Sequence, residues 1–146
     1  MKPHTSDAFV FFGATGDLAY KKIFPALQAL IRAGQFDMPI VGVARAGWTL
    51  ERLQARAKES VENNGGIDVD AFAKLSAQLR YCDGDYSDVA TYTRLKEKLG
   101  NAKRPLHYMA IPPSIFETVV QGLAAAGCAT DARIVVEKPL DRKSVV

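Results

Sequence analysis

Short apolar segments alternate with segments of helical periodicity along this chain, and that alternation restricts the possible folds more than any other feature. Five apolar runs are rich in Val, Ile, Phe and Tyr and do not alternate with polar residues, and they occupy residues 8–12, 39–44, 79–82, 106–111 and 134–136. Runs of this kind are typical of strands buried on both faces, as in a parallel sheet. We therefore predict five such strands.

Apolar residues with helical spacing fill the intervals between the runs. One stripe consists of Leu50, Leu53, Ala57 and Val61, and three more begin at Val69, Val89 and Ile115. The last two helices are predicted to end at Gly100 and Gly127. The sequence Ser-Ile-Phe-Glu at 114–117 predicts a capping box at the start of the final helix.

The resulting order, β-α-β-α-α-β-α-β-α-β, predicts the α/β class. Strands that alternate with helices form a doubly wound parallel sheet of the Rossmann type, with helices on both faces. The length of 146 residues fits a single domain, here predicted over 1–146. The chain ends soon after the last predicted strand, so we expect it to be the N-terminal half of a longer enzyme whose substrate domain is absent.

Composition excludes several classes of function. The net charge of +3 is too small to indicate nucleic-acid binding. No apolar run approaches the roughly 20 residues that span a bilayer, and the N-terminus lacks a hydrophobic signal region. Cys82 and Cys128 form no Cys-x-x-Cys pair and are predicted to be reduced thiols. We expect a cytoplasmic protein with neither nucleic acid nor membrane as a partner.

A glycine-rich turn follows the first predicted strand. Gly13, Gly16 and Ala19 have the spacing G-x-x-G-x-x-A at the junction of strand and helix. A dinucleotide pyrophosphate approaches the backbone closely at such a turn, so a Cβ is unwelcome at both glycines. The amides at the start of the helix then bind the anion. The turn therefore predicts nucleotide binding.

The end of the second predicted strand indicates which nucleotide is bound. Proteins that bind NAD place an acidic residue there to hold the ribose 2′-hydroxyl. The strand ends here in Ala44-Arg45 with no carboxylate, and an arginine can pair with a 2′-phosphate. The sequence therefore favours NADP over NAD.

Five elements in this order resemble the glucose-6-phosphate dehydrogenase family. They are the loop and helix at 13–25, Ala44-Arg45, Gly-Asp-Tyr-Ser-Asp at 84–88, Tyr-Met-Ala-Ile-Pro-Pro at 108–113, and Glu137-Lys138-Pro139. The resemblance extends over the whole chain, although many relatives have Lys where Tyr20 stands.

The resemblance implies a role for each matching residue. Cofactor contacts are implied for Gly13, Ala14, Thr15, Gly16, Asp17, Leu18, Arg45, Ala110, Ile111, Pro112 and Lys138. Among these, the loop would hold the pyrophosphate, Arg45 the 2′-phosphate, and residues 110–112 the nicotinamide side. Substrate contacts are implied for Lys22, which would face the sugar phosphate, and for Lys138.

The resemblance also implies a reaction, the oxidation of glucose 6-phosphate by NADP to 6-phosphogluconolactone in the pentose phosphate pathway. The family's general base is a histidine in an H-Y-x-G-K element of a second domain, where the oligomer interface is also expected. This sequence contains only His4 and His107, neither in such an element. We therefore assign no catalytic residue and no metal ligand, and expect the isolated chain to be inactive.

The sequence leaves three alternative functions open. Enzymes similar to glucose–fructose oxidoreductase and inositol dehydrogenase also place Glu-Lys-Pro after the fifth strand, but their first loop is normally G-x-G-x-x-G. Short-chain dehydrogenases use a Tyr-x-x-x-Lys pair, which Tyr92 and Lys96 match, although Tyr92 lies on the apolar face of its helix. The third alternative is a non-catalytic module that binds NADP without turnover.

Overall fold

The computed structural model describes residues 6–129 and 132–136. The strands are β1 (Ala8–Phe12), β2 (Ile40–Ala44), β3 (Leu79–Asp83), β4 (Pro105–Met109) and β5 (Arg133–Val136). The helices are α1 (Phe24–Arg32), α2 (Leu50–Asn63), α3 (Val69–Gln78), α4 (Val89–Leu99) and α5 (Phe116–Ala125). The predicted order of elements is therefore confirmed.

The strands form one parallel sheet in the order β3-β2-β1-β4-β5. In the centre, Phe11 is level with Gly42 of β2 on one side and with Tyr108 of β4 on the other. The chain proceeds outward from β1 in both directions, so the order reverses between β1 and β4. Open α/β sheets bind ligands in the crevice beyond the carboxyl ends of the strands at such a reversal.

The two faces of the sheet carry separate hydrophobic clusters. Phe11 and Ile40 point to one face, where α1, α2 and α3 bury Leu27, Leu53 and Leu75. On the opposite face, α4 and α5 supply the apolar residues that cover the sheet, namely Tyr92, Leu95, Leu99, Val119 and Leu123. Both faces are thus covered by helices, which confirms the Rossmann-type doubly wound architecture.

One strand is less buried than its sequence predicts. Ile134, Val135 and Val136 form most of β5 and remain 40%, 37% and 38% exposed. Among the described residues, β5 pairs only with β4, and no helix packs extensively against it. The prediction of burial on both faces is wrong for this run because β5 lies at the edge of the described sheet.

The predicted capping box at the start of α5 is also wrong. Two prolines lead the chain into a 3₁₀ turn over Pro113–Ile115, so Ser114 lies inside that turn. Ile115 becomes the N-cap residue and provides no side-chain hydrogen bond. Glu117 instead accepts a hydrogen bond from Gln121 one turn further on, at 3.2 Å.

The helix ends and the cysteines agree with the sequence. Gly100 and Gly127 follow α4 and α5 with φ of +61° and +79°, a conformation that glycine adopts readily. Cys82 and Cys128 are free and buried.

Among the described residues, no helix is long and apolar enough to cross a membrane.

Candidate nucleotide-binding site

The turn after β1 requires a glycine at its first position. Gly13 has a φ of +85°, and a Cβ there would lie 2.1 Å from the carbonyl oxygen of Ala110. That carbonyl belongs to the segment after β4, whose Ala110 amide donates to the Phe12 carbonyl at 3.1 Å. Gly13 therefore lets the ends of β1 and β4 approach each other at the crevice.

Packing within the protein does not by itself require a glycine at the second position of the turn. The amide of Gly16 donates to the Gly13 carbonyl at 3.0 Å and closes the turn. A Cβ at Gly16 would meet only that carbonyl oxygen, at 3.4 Å, and its φ is not positive. Packing within the protein thus tolerates a methyl group here, so the predicted need for glycine depends on the close approach of a ligand.

Among the residues that the structure describes, three amides of the turn have no acceptor. Gly13 and Ala14 donate to the Val43 carbonyl at 2.9 and 3.1 Å. In the part of the chain that the structure describes, the amides of Thr15, Asp17 and Leu18 donate to no protein group. Unpartnered amides at the start of a helix form an anion-binding site, so this loop fits the pyrophosphate of a dinucleotide.

The first helix begins with one turn of π-helix over Ala19–Ile23, which sequence reasoning did not predict. The carbonyl of Tyr20 accepts hydrogen bonds from Ser60 Oγ and, at 3.4 Å, from Asn64 Nδ2. Arg56 lies over the Tyr20 ring, 4.4 Å from its centroid. Tyr20 therefore contacts the second half of α2 and the residue that follows it, through both its carbonyl and its ring.

A tyrosine beyond β3 holds the loop in place. The Tyr86 hydroxyl accepts a hydrogen bond from the Gly13 amide at 2.9 Å and donates one to the Val43 carbonyl at 3.2 Å. The Tyr92 hydroxyl in turn donates to the Tyr86 carbonyl at 2.6 Å. Burial raises the pKa of Tyr86 to about 12. The sequence analysis did not predict that Tyr86 anchors the glycine loop. The signal for it in the sequence was the Gly-Asp-Tyr-Ser-Asp element.

Arg45 follows β2 as predicted, and two carboxylates, one at the end of β3 and one just beyond it, lie near this segment. Asp85 Oδ2 is 3.7 Å from an Arg45 guanidinium nitrogen, and the Arg45 side chain is 73% exposed. Asp83 Oδ1 accepts hydrogen bonds from the amides of Ala46 and Gly47 at 3.1 and 2.8 Å. These bonds and one from the Tyr81 hydroxyl hold the pKa of Asp83 below its usual range, against the opposing effect of burial.

Five of the predicted site residues line one pocket. A cavity of about 420 Å³ lies at the carboxyl end of the sheet between the glycine loop and the segment after β4. Its lining includes Leu18, Lys22, Ala110, Ile111 and Pro112, together with Met109 and Pro113. The pocket therefore joins the residues implied for the nicotinamide side to the lysine implied for the sugar phosphate.

Other candidates lie elsewhere. Lys138, with Glu137 and Pro139, lies outside the described residues, as does His4. His107 lies within β4 and is fully buried, with Nε2 donating to the Cys128 carbonyl at 3.0 Å. Burial lowers the pKa of His107. Tyr92 is 1% exposed in the core, as expected for packing and not for a catalytic Tyr-x-x-x-Lys pair.

A comparison with known families gives a match over nearly the whole chain. The family model described as glucose-6-phosphate dehydrogenase, NAD binding domain, matches residues 10–145. Glucose-6-phosphate 1-dehydrogenase 1 of Mycobacterium tuberculosis (strain ATCC 25618 / H37Rv) is 42% identical over 134 residues, covering 92% of this chain and 29% of that protein.

Solved structures show the same relationship. The crystal structure of glucose-6-phosphate 1-dehydrogenase from Mycobacterium avium superposes with a TM-score of 0.87 at 43% identity, covering 92% of this chain and 30% of its own. A glucose-6-phosphate dehydrogenase in complex with its substrate glucose 6-phosphate gives a TM-score of 0.82 at 30% identity. That match covers 95% of this chain and 32% of the other. The chain thus spans about three tenths of the length of these relatives.

Proposed function

The chain belongs to the glucose-6-phosphate dehydrogenase family through its nicotinamide-cofactor-binding domain, and we propose that it is the N-terminal NADP-binding domain of a glucose-6-phosphate 1-dehydrogenase. The proposed substrate of the assembled enzyme is glucose 6-phosphate and the product is 6-phospho-D-glucono-1,5-lactone. The family match favours this proposal over an enzyme similar to glucose–fructose oxidoreductase or inositol dehydrogenase.

One observation carries the proposal. The unpartnered amides of Thr15, Asp17 and Leu18 and the pocket lined by Lys22 and residues 110–112 belong to the same crevice. Leu18 belongs to both the loop and the pocket lining. A dinucleotide with its pyrophosphate on the loop would extend its nicotinamide end toward this pocket. Lys22 would then offer its ammonium group to a phosphate next to the nicotinamide.

The protein's part in the reaction is to bind and orient. The bound nicotinamide supplies the hydride acceptor for C1 of the sugar. Residues 110–112 would form an apolar wall on the nicotinamide side, and the ammonium group of Lys22 would attract the sugar phosphate. Such positioning can contribute several kcal/mol to the lowering of a barrier.

The preference for NADP is assigned to Arg45. Its side chain is exposed at the end of β2, where a 2′-phosphate on the adenosine ribose would lie in a Rossmann-type domain. A guanidinium can form two parallel hydrogen bonds to a phosphate. The ribose 2′-hydroxyl of NAD offers no charge to this residue.

Two features of the proposal depend on the resemblance alone. Lys138 is assigned to both cofactor and sugar, and the general base is assigned to a histidine of the family's H-Y-x-G-K element, which this sequence does not contain. The 146-residue chain is therefore proposed to bind NADP without turnover. The oligomer interface in a second domain and the cytoplasmic location stay predictions.

Titration of the ¹⁵N-labelled chain with NADP⁺, followed by amide chemical shifts, tests the proposal. The amides of Thr15, Asp17, Leu18, Ala110 and Ile111 should shift with a common dissociation constant. The amides of residues 96–102, which run from the last turn of α4 into the segment before β4 at the opposite end of the sheet, serve as the internal control and should not shift. Saturable shifts confined to residues 96–102, or no shifts at all, would overturn the proposal.

A further inference from the structure

We propose that Asp85 is a specificity-determining residue of the nucleotide site: its carboxylate competes with the cofactor's 2′-phosphate for Arg45 and narrows the preference for NADP over NAD. This inference rests on the proposed function, because it needs a cofactor whose ribose lies at the end of β2. It concerns a residue to which neither the sequence motifs nor the family match assign a role.

The geometry of the turn after β3 fixes the direction of this carboxylate. Asp85 Oδ1 accepts hydrogen bonds from the Ser87 amide at 2.9 Å and from the Ser87 hydroxyl at 2.8 Å. The second oxygen, Oδ2, is the one that lies 3.7 Å from Arg45. One oxygen is therefore anchored to the turn, and the other is directed at the guanidinium before any ligand is bound.

The neighbouring carboxylate cannot play the same part. Asp83 Oδ1 accepts from the amides of Ala46 and Gly47 and from the Tyr81 hydroxyl, so it fixes the backbone that follows Arg45. Its hydrogen bonds lie within the protein and do not involve the Arg45 guanidinium. Asp83 thus shapes the loop, whereas Asp85 faces the charge that the phosphate would use.

Other arginines near this edge are engaged elsewhere. Arg94 donates to the Asp83 carbonyl at 2.9 Å. Arg52 lies over the Trp48 ring, 4.4 Å from its centroid. Arg45 is therefore the guanidinium on which the proposal depends, and its ion pair with Asp85 has to be broken or shared when a phosphate arrives.

The charge of Asp85 determines how much this residue should weaken NADP binding. A phosphate bound to Arg45 would lie within several ångströms of Asp85, and both groups are negative. At such a separation in a largely aqueous environment, removal of one charge changes a dissociation constant by about 3- to 10-fold. NAD carries no phosphate at this position, so its affinity should respond much less.

Calorimetric titration of the chain and its Asp85→Asn variant with NADP⁺ and with NAD⁺ tests the proposal. Asparagine removes the charge but keeps an oxygen that can accept from Ser87. We expect NADP⁺ to bind about 3- to 10-fold more tightly to the variant and the NAD⁺ constant to change little. The gain should shrink as salt rises from 0.01 M to 1 M, since the Debye length falls from about 30 to 3 Å. Asp85→Ser is the second variant if the first does not fold.

Asp70→Asn is the matched control, because Asp70 is an exposed carboxylate in the first turn of α3, on a different part of the surface. It removes the same charge and should leave both affinities unchanged. Equal gains for Asp70→Asn and Asp85→Asn would reveal a general charge effect and overturn the proposal.

The double variant Arg45→Ala/Asp85→Asn shows whether the gain in NADP⁺ affinity depends on the pair of Arg45 and Asp85. In the Arg45→Ala background, Asp85→Asn should give a smaller gain, because the competing pair no longer exists. A gain of full size in that background would overturn the pairing with Arg45. Wild-type preference for NADP⁺ with no change in Asp85→Asn would overturn this inference alone. Failure of the wild-type chain to bind either cofactor would instead refute the proposed function.

Discussion

The hydroxyl of Tyr86 accepts a hydrogen bond from the amide of Gly13 at 2.9 Å, although the two residues are 73 positions apart in the sequence. The same hydroxyl donates to Val43 at 3.2 Å. One side chain thus connects the ends of β1 and β2 to the segment after β3. Tyr86 therefore anchors the start of the glycine loop, and among the described residues the amides of Thr15, Asp17 and Leu18 keep no acceptor.

Tyr86→Phe should weaken both the fold and cofactor binding. Loss of a partly buried hydrogen bond lowers the free energy of unfolding by about 0.5–1.5 kcal/mol. The dissociation constant for NADP⁺ should rise because the start of the loop loses one of its anchors. Denaturant unfolding and calorimetry measure the two effects. Tyr20→Phe, which removes a hydroxyl that contacts Asn63, is the control and should leave the affinity unchanged.

Stability should decline at high pH as tyrosines ionise. Burial raises the pKa of Tyr86 from 10.0 to about 12, and burial also raises the pKa values of Tyr81 and Tyr92. A raised pKa means that the folded state holds its proton more tightly, so the stabilisation is complete below pH 10 and is lost between pH 10 and 12. Urea unfolding from pH 8 to 11.5 should show this decline, with a smaller slope in Tyr86→Phe. An unchanged slope in the variant would contradict the assignment.

The two loop glycines should respond differently to a methyl group. Gly13→Ala places a Cβ 2.1 Å from the Ala110 carbonyl oxygen at a positive φ, and should cost about 2–4 kcal/mol of stability. Gly16→Ala should fold normally, because its nearest contact is 3.4 Å, but it should bind NADP⁺ more weakly. Thermal unfolding measures the stability of each of the two variants, and titration with NADP⁺ measures the affinity of each. Full affinity in Gly16→Ala would mean that no ligand approaches that position closely.

The 146-residue chain should not oxidise glucose 6-phosphate. Its sequence lacks the H-Y-x-G-K element, and the one histidine among the described residues, His107, is buried with its pKa lowered by that burial. Absorbance at the NADPH maximum should stay at the buffer rate when chain, sugar phosphate and NADP⁺ are mixed. A rate above buffer would show that this chain supplies its own base.

The fold could be predicted from the sequence because it depends on periodicity. Buried strands such as β1 and β2 carry continuous apolar runs, and helices such as α2 carry one apolar stripe. The exposure of β5 could not be predicted in this way, since an edge strand and a central strand of a parallel sheet have similar sequences. The start of α5 was missed because Pro113 imposes a 3₁₀ turn where the letters of a capping box occur.

The positions of the candidate site residues could be predicted where those residues directly follow a strand, whereas contacts between segments from different strands could not. Gly13 and Arg45 follow their strands directly, so their position could be inferred from the sequence. The bond from Gly13 to Tyr86 and the pair of Arg45 with Asp85 depend on the pairing of β1, β2 and β3. No local pattern contains that information, because it is created by the order of strands in the sheet.

We propose that this chain binds NADP through the loop at 13–18 and Arg45. Calorimetric titration of NADP⁺ and NAD⁺ into the chain and into Arg45→Ala tests this binding mode most directly. We predict that the chain binds NADP⁺ more tightly than NAD⁺. In Arg45→Ala the binding free energy of NADP⁺ should weaken by about 1.5–3 kcal/mol, the range of a hydrogen bond to a charged group. The binding free energy of NAD⁺ should change little. An unchanged preference for NADP⁺ in Arg45→Ala would contradict the account.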